Sequence, residues 1–99
     1  MVVNNIKLYD EIKDFITSKG EPFSRWYVGS TEDVYRCLFV EHKVSESTDC
    51  WIYKPCQNSR IAKHLKVTLM KLGCEGWSGG WAESAVTVYA YLKNSHTTP

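Results

Sequence analysis

Apolar residues along this chain switch between helical and strand spacing in strict alternation, and that alternation limits what it can fold into. Ile6, Tyr9, Ile12 and Ile16 recur at helical spacing with Phe15 beside them. Asn4 or Asn5 can cap this segment and Gly20 followed by Pro22 ends it, so the spacing predicts an amphipathic helix over 5–19. Trp26 and Val28 alternate with Arg25, Tyr27 and Gly29, which predicts a short strand over 25–29. Ser30-Thr31 then offers a cap, Asp33 suits the positive end of a helix dipole, and Val34, Leu38 and Glu41 share one side with Cys37 adjoining. A helix over 31–42 is expected. The polar run from Lys43 to Asp49 reads as a loop. Cys50-Trp51-Ile52-Tyr53, closed by Pro55, predicts a strand over 50–54. Ile61, Leu65, Leu69 and Leu72 line a third helix over 59–72, capped by Ser59 and ended by Gly73. Val86, Val88, Ala90 and Leu92 alternate with Thr87, Tyr89 and Tyr91, giving a strand over 85–92, and 94–99 read as a disordered tail.

The order αβαβαβ predicts an α+β fold: a small three-stranded sheet, mixed or antiparallel, covered by three helices. The length of 99 residues suits a single domain, 1–99, with one core and no linker. Hydrophobic residues at 43% and charged residues at 23% exclude disorder over most of the chain. No stretch approaches a membrane span, and Met1-Val2-Val3-Asn4-Asn5 lacks the basic and apolar regions of a signal peptide, so a cytoplasmic protein is expected. In that setting Cys37, Cys50, Cys56 and Cys74 are expected as free thiols. A zinc site built from Cys50 and Cys56 with His42 or His64 fits no standard ligand spacing, and no metal or cofactor is expected. The formal charge is only +1, so any surface for a polyanion must be local.

Trp26-Tyr27-Val28-Gly29-Ser30-Thr31, then Asp33-Val34, Leu38 and Glu41-His42, is the informative stretch. Here the sequence resembles the GIY-YIG nuclease family, whose second motif is matched by Tyr27-Val28-Gly29. The order of elements over 26–73 follows the same plan. In that family the glycine lets the chain leave the strand tightly beside the site. The family's first motif, a strand ending in Ile-Tyr, is absent, because Gly20-Glu21-Pro22-Phe23 cannot supply it. The resemblance implies that the last strand takes that place beside the Tyr27 strand, with Tyr89 or Tyr91 standing for the first tyrosine.

Two essential positions depart from the family. Its arginine stands eight residues after the glycine, which falls on Cys37; Arg36 is adjacent but turned by about 100° on a helix. Its metal-binding glutamate falls on the third helix, where the best match is Lys66. Cysteine cannot grip a phosphate as an arginine fork does, and lysine repels a divalent cation. The resemblance therefore implies a nuclease-like fold without hydrolysis, and Tyr27, Gly29, Arg36, His42 and Tyr89 form a vestigial site.

Each of these residues also has a plainer reading. Tyr27 suits strand packing, His42 a helix C-terminus, Cys37 a small apolar core site, and Lys66 the rim of a buried face. Arg60, Lys63, His64 and Lys71 form a basic helix side that reads either as solvated surface or as a phosphate contact. The leading expectation is a non-catalytic module that contacts nucleic acid through Arg25, Arg36, Arg60, Lys63 and Lys66, with Trp77 or Trp81 stacking on bases. A second is a protein–protein adaptor that uses the Trp77/Trp81 loop. A third is a weak nuclease using Tyr27, in which Arg36 replaces the missing arginine and Glu41 or Glu83 binds the metal, magnesium.

Overall fold

A computed structural model describes residues 5–76 and 84–99. The chain is α+β. Helix α1 (Asn5–Ser18) leads through a 3-10 turn (Phe23–Arg25) into strand β1 (Trp26–Thr31). A π-helical segment (Arg36–Glu41), β2 (Trp51–Pro55), α2 (Ser59–Lys71) and β3 (Thr87–Leu92) follow. Among the described residues no helix is long and apolar enough to cross a membrane. The helices end where expected: Gly20 and Gly73 take φ of +77° and +120°, the left-handed turn that glycine adopts without penalty.

The sheet runs β1-β3-β2 and is antiparallel throughout, so the last strand lies between the other two. The expected pairing of β3 with the Tyr27 strand is present, with Tyr27 opposite Tyr91 and Gly29 opposite Tyr89. Alternation then sorts the side chains onto two faces. Trp26, Val28, Val88 and Ala90 turn to one face and pack with Leu8, Ile12 and Ile16 of α1 and Leu65 and Leu69 of α2. Each large aliphatic side chain fully buried there contributes roughly 1.5–3 kcal/mol over leaving it exposed. Tyr27, Tyr89, Tyr91, Trp51 and Tyr53 turn to the other face, against Val34, Cys37, Leu38 and Phe39. One face is mainly aliphatic under two α-helices; the other is aromatic under the π-helical segment. The Trp26 indole N–H is buried without a hydrogen-bond partner among the described residues, and its ring meets Phe15 edge-on at 5.9 Å.

Four details differ from the sequence reading. The expected α-helix over 31–42 is shorter and wider. β1 continues to Thr31, paired with Thr87, and the helical turn after it closes with His42 N–H donating to the Cys37 carbonyl five residues back. In that wider turn Glu41, expected on one side with Val34 and Leu38, is exposed while Leu38 is buried, and the turn is closed by Val44 N–H on the Leu38 carbonyl with Lys43 at φ 59°. The cap of α2 is Asn58, whose Oδ1 accepts from Ile61 N–H, with Ser59 already inside the helix. Residues 94–99, expected as a disordered tail, fold back on the aromatic face: Thr98 N–H donates to the His42 carbonyl at 2.8 Å.

Gly29 is the fourth. It lies within β1 and not at a turn, and its reason is steric. The Tyr89 ring crosses directly over it, so a Cβ at position 29 would stand 2.6 Å from Tyr89 Cζ. Gly29→Ala must displace a ring that is only 4% exposed, and it should cost about 1–3 kcal/mol, as other overpacked cores do. A urea denaturation series checks this; an unchanged midpoint would mean that Tyr89 yields freely.

Candidate functional site

The aromatic face gathers a hydrogen-bonded cluster around His42, the residue that ends the π-helical segment. His42 Nδ1 lies 2.6 Å from the Thr98 carbonyl oxygen, which can only accept, so Nδ1 carries the proton. In the neutral ring Nε2 then accepts from the Tyr89 hydroxyl at 2.8 Å. Tyr91 Oη donates to the same Thr98 carbonyl at 3.3 Å. Cys37 packs in the same buried cluster as Tyr89 and Tyr91. Tyr27 packs over this group, with its ring 5.0 Å from His42 and stacked at 5.5 Å on Tyr91. The five-residue spacing of the π turn is what lets Cys37 and His42 reach Tyr89 from one segment.

Burial drives both Tyr89 and Tyr91 well above the ordinary phenol range, with the cysteine and the neighbouring tyrosines adding to it. Neither is a base near neutral pH. Burial also raises the Cys37 thiol, which favours its neutral, packed form. All four cysteines are free thiols.

An open cleft of about 440 Å³ lies over this cluster, lined by Tyr27, His42, Glu75, Gly76 and Pro99. Residues 74–76 reach it by running along the outer edge of β1: Val28 N–H donates to the Glu75 carbonyl, and Glu75 N–H donates to the Trp26 carbonyl, both at 2.8 Å. Gly76 permits that approach, since a Cβ there would stand 2.8 Å from the Val28 oxygen. The Glu75 carboxylate is held by Lys93 Nζ at 2.6 Å. Among the described residues no group of three His, Cys, Asp or Glu side chains is arranged to hold a metal ion.

Of the residues picked from sequence, Tyr27, Gly29, His42 and Tyr89 come together here. Arg36 does not join them: its side chain is 72% exposed, faces Glu41 at 3.7 Å, and lines a separate acidic hollow with Thr31, Glu32 and Asp33. Arg25 pairs with Glu21 at 3.4 Å. Lys66 is 7% exposed on α2 and is not a surface contact; burial, with the charge of Lys63 nearby, lowers its pKa. Arg60 and Lys63 remain exposed on the same helix, which packs on the aliphatic face. Trp77, Trp81 and Glu83 lie outside the described residues. Sequence reasoning missed Glu75 and Lys93, which are paired across the β1 edge and carry no local signature. It also missed the tail.

The tail is fixed at a second point. Asp49 Oδ1 accepts from Asn94 Nδ2 at 2.9 Å, and its Oδ2 accepts from Ser45 N–H at 2.7 Å and meets His96 Nε2 at 2.6 Å. No family model, curated protein or solved structure matches the chain.

Burial alone would raise the Asp49 carboxyl, but Ser45, His96 and Asn94 together outweigh it and hold it below the usual carboxylate range. The folded group therefore titrates below its unfolded value of about 3.9. Its stabilisation is complete above that value and is lost as pH falls through the lower folded one. Protection of the Thr98 amide against hydrogen exchange should fall across this acid range in the native protein, and Asp49→Asn should show reduced protection with no such acid step. Identical profiles would place the tail's anchor elsewhere.

Proposed function

We propose that this chain is a non-catalytic module on a GIY-YIG-like core and that it contacts nucleic acid through the outer side of α2. The observation that carries the contact is a cluster of cations with no carboxylate beside it. Arg25, Arg36, Lys54 and Lys93 each meet a carboxylate. On α2, Arg60, Lys63, His64 and Lys71 are exposed, the helix contains no acidic residue, and no carboxylate among the described residues pairs with them. At about 100° per residue these four fall within one band of the helix, and at ~1.5 Å per residue that band runs for about 16 Å. A stripe of this kind neutralises phosphates without reading bases.

Three features support the core assignment. Tyr27 stands on an edge strand that leads into a helical segment. β3 pairs antiparallel with that strand, where the resemblance expects a strand in place of the missing first motif. Tyr89 and Tyr91 flank Gly29 and Tyr27 on that strand. The chemistry at the same place argues against hydrolysis. Arg36 stands outside the cleft, Lys93 neutralises Glu75, and both ring nitrogens of His42 are already engaged. Phosphoryl transfer needs a cationic grip on the phosphate and a free carboxylate for a divalent ion.

Binding should be no tighter than about micromolar at physiological salt, given the net charge of +1. Phosphate contacts by the three formal cations Arg60, Lys63 and Lys71 predict a slope of log affinity against log salt of about −2 to −3. Arg60→Ala and Lys63→Ala should each weaken binding to all sequences alike and reduce that slope by about 1. Fluorescence anisotropy with labelled single-stranded and duplex DNA and with RNA, at two salt concentrations, measures this. No binding at low salt removes the nucleic-acid reading.

With magnesium or manganese, long incubation should leave labelled DNA and RNA intact. Metal-dependent cleavage that disappears in Tyr27→Phe would instead restore an active site.

A further inference from the structure

The two long edges of the sheet are not alike. In the β2–β3 pair, Leu92 N–H donates to the Cys50 carbonyl and Cys56 N–H to the Val86 carbonyl, so Cys50, Ile52, Lys54 and Cys56 direct their backbone groups at β3. The alternate residues, Trp51 and Tyr53, therefore turn their N–H and C=O groups to the outer edge. The β1 edge has the Glu75 segment laid along it, whereas no backbone group among the described residues bonds to Trp51 or Tyr53 on the β2 edge. An open edge of this kind is a template for another strand.

The side chains beside that edge form an aromatic ledge. Trp51 and Tyr53 lie nearly parallel, with an interplanar angle of 3° and centroids 6.1 Å apart. Phe39 meets Trp51 edge-on at 5.1 Å, and Tyr35 Oη shares a 3.1 Å hydrogen bond with Tyr53 Oη. Tyr35 is 55% exposed, one of the large apolar exposures in the described chain. On its rim stands Glu46, an exposed residue whose carbonyl accepts from Trp51 Nε1 at 3.0 Å. The segment 31–49 as a whole carries five carboxylates (Glu32, Asp33, Glu41, Glu46, Asp49) against two cations (Arg36, Lys43), with Arg36 facing Glu41 and Asp49 turned to Ser45, Asn94 and His96. Glu46 stands close enough to Tyr35 to raise its phenol, after the larger effect of Tyr53. Nucleic acid is repelled by such a rim, while a cation stacked on these rings is favoured by both the rings and the carboxylates.

The geometry points to this edge as the docking site for an extended segment of a partner protein that carries arginine or lysine at alternate positions and joins β2 as an added strand. The backbone edge supplies the alignment, the ledge receives the side chains of one row, and the acidic rim selects their charge. This surface is distinct from the α2 stripe and does not depend on it.

The test is fluorescence anisotropy with a labelled, end-blocked peptide of alternating arginine and valine, compared with one of alternating glutamate and valine. The arginine peptide should bind and the glutamate peptide should not. Tyr35→Ser and Glu46→Lys, both changes at exposed positions, should each weaken binding about two- to fivefold. Arg60→Ala should leave it unchanged. N-methylating one alternate set of peptide amides should abolish binding, and methylating the other set should not, because only one row faces β2. Equal binding of both peptides, insensitivity to Tyr35→Ser and Glu46→Lys, or indifference to either methylation pattern would overturn the proposal. Sedimentation of the protein alone provides the remaining check. Self-association lost in Glu46→Lys would assign the edge to a second copy of this chain and overturn the partner reading.

Discussion

β3 carries the structure. Its neighbours β1 and β2 never bond to each other, so every inter-strand ladder in the sheet has β3 as one member. Its side chains divide the two cores as well. Val88 and Ala90 complete the aliphatic side with α1 and α2, while Tyr89 and Tyr91 complete the aromatic side with Cys37 and Leu38. The space that Tyr89 needs is made by Gly29 across the ladder, and the hydroxyl it then presents fixes His42. One cross-strand pair, glycine against tyrosine, thus links the sheet to the turn that covers it and to the tail beyond.

Much of this was legible in the residues. Ile12, Ile16, Leu65 and Leu69 recur at helical spacing because one side of each helix must be apolar, and the same side is buried. The alternation of Val88 and Ala90 with Tyr89 and Tyr91 marked a strand, though not that both rows would be buried, because that depends on what covers each face. The π turn was illegible: the same residues would suit an ordinary helix, and only packing against Tyr89 separates the two. Asp49, His96 and Asn94 looked like solvated loop and tail residues. Their pairing spans more than forty residues and leaves no local pattern. Gly29 was noticed but given the wrong cause, since a glycine that makes room for a ring looks the same in sequence as one that makes a turn.

A total charge of +1 conceals a strong separation. The band on α2 has cations and no carboxylate, whereas the segment from Thr31 to Asp49 has carboxylates in excess. The sheet lies between them, α2 on its aliphatic face and the acidic segment on its aromatic one. Opposite charges held apart by a packed core give the molecule two surfaces of different preference. This is more informative about partners than the sum, because an approaching group responds to the field within about 10 Å of it and not to the distant side.

The placement of β3 also governs when the fold can exist. A ribosome delivers β1 and β2 long before β3, yet those two strands have no ladder in common. Until residues 87–92 emerge, the nascent chain can form α1 and α2 locally, but the apolar sides of those helices have no sheet to rest on. Assembly must therefore wait for a strand that threads between two partners already made, closing loops of long sequence separation at the last step. In the interval Tyr27 and Gly29 of β1 and Ile52 and Lys54 of β2 have no ladder partner, and unpaired strands of this kind make a growing chain prone to association.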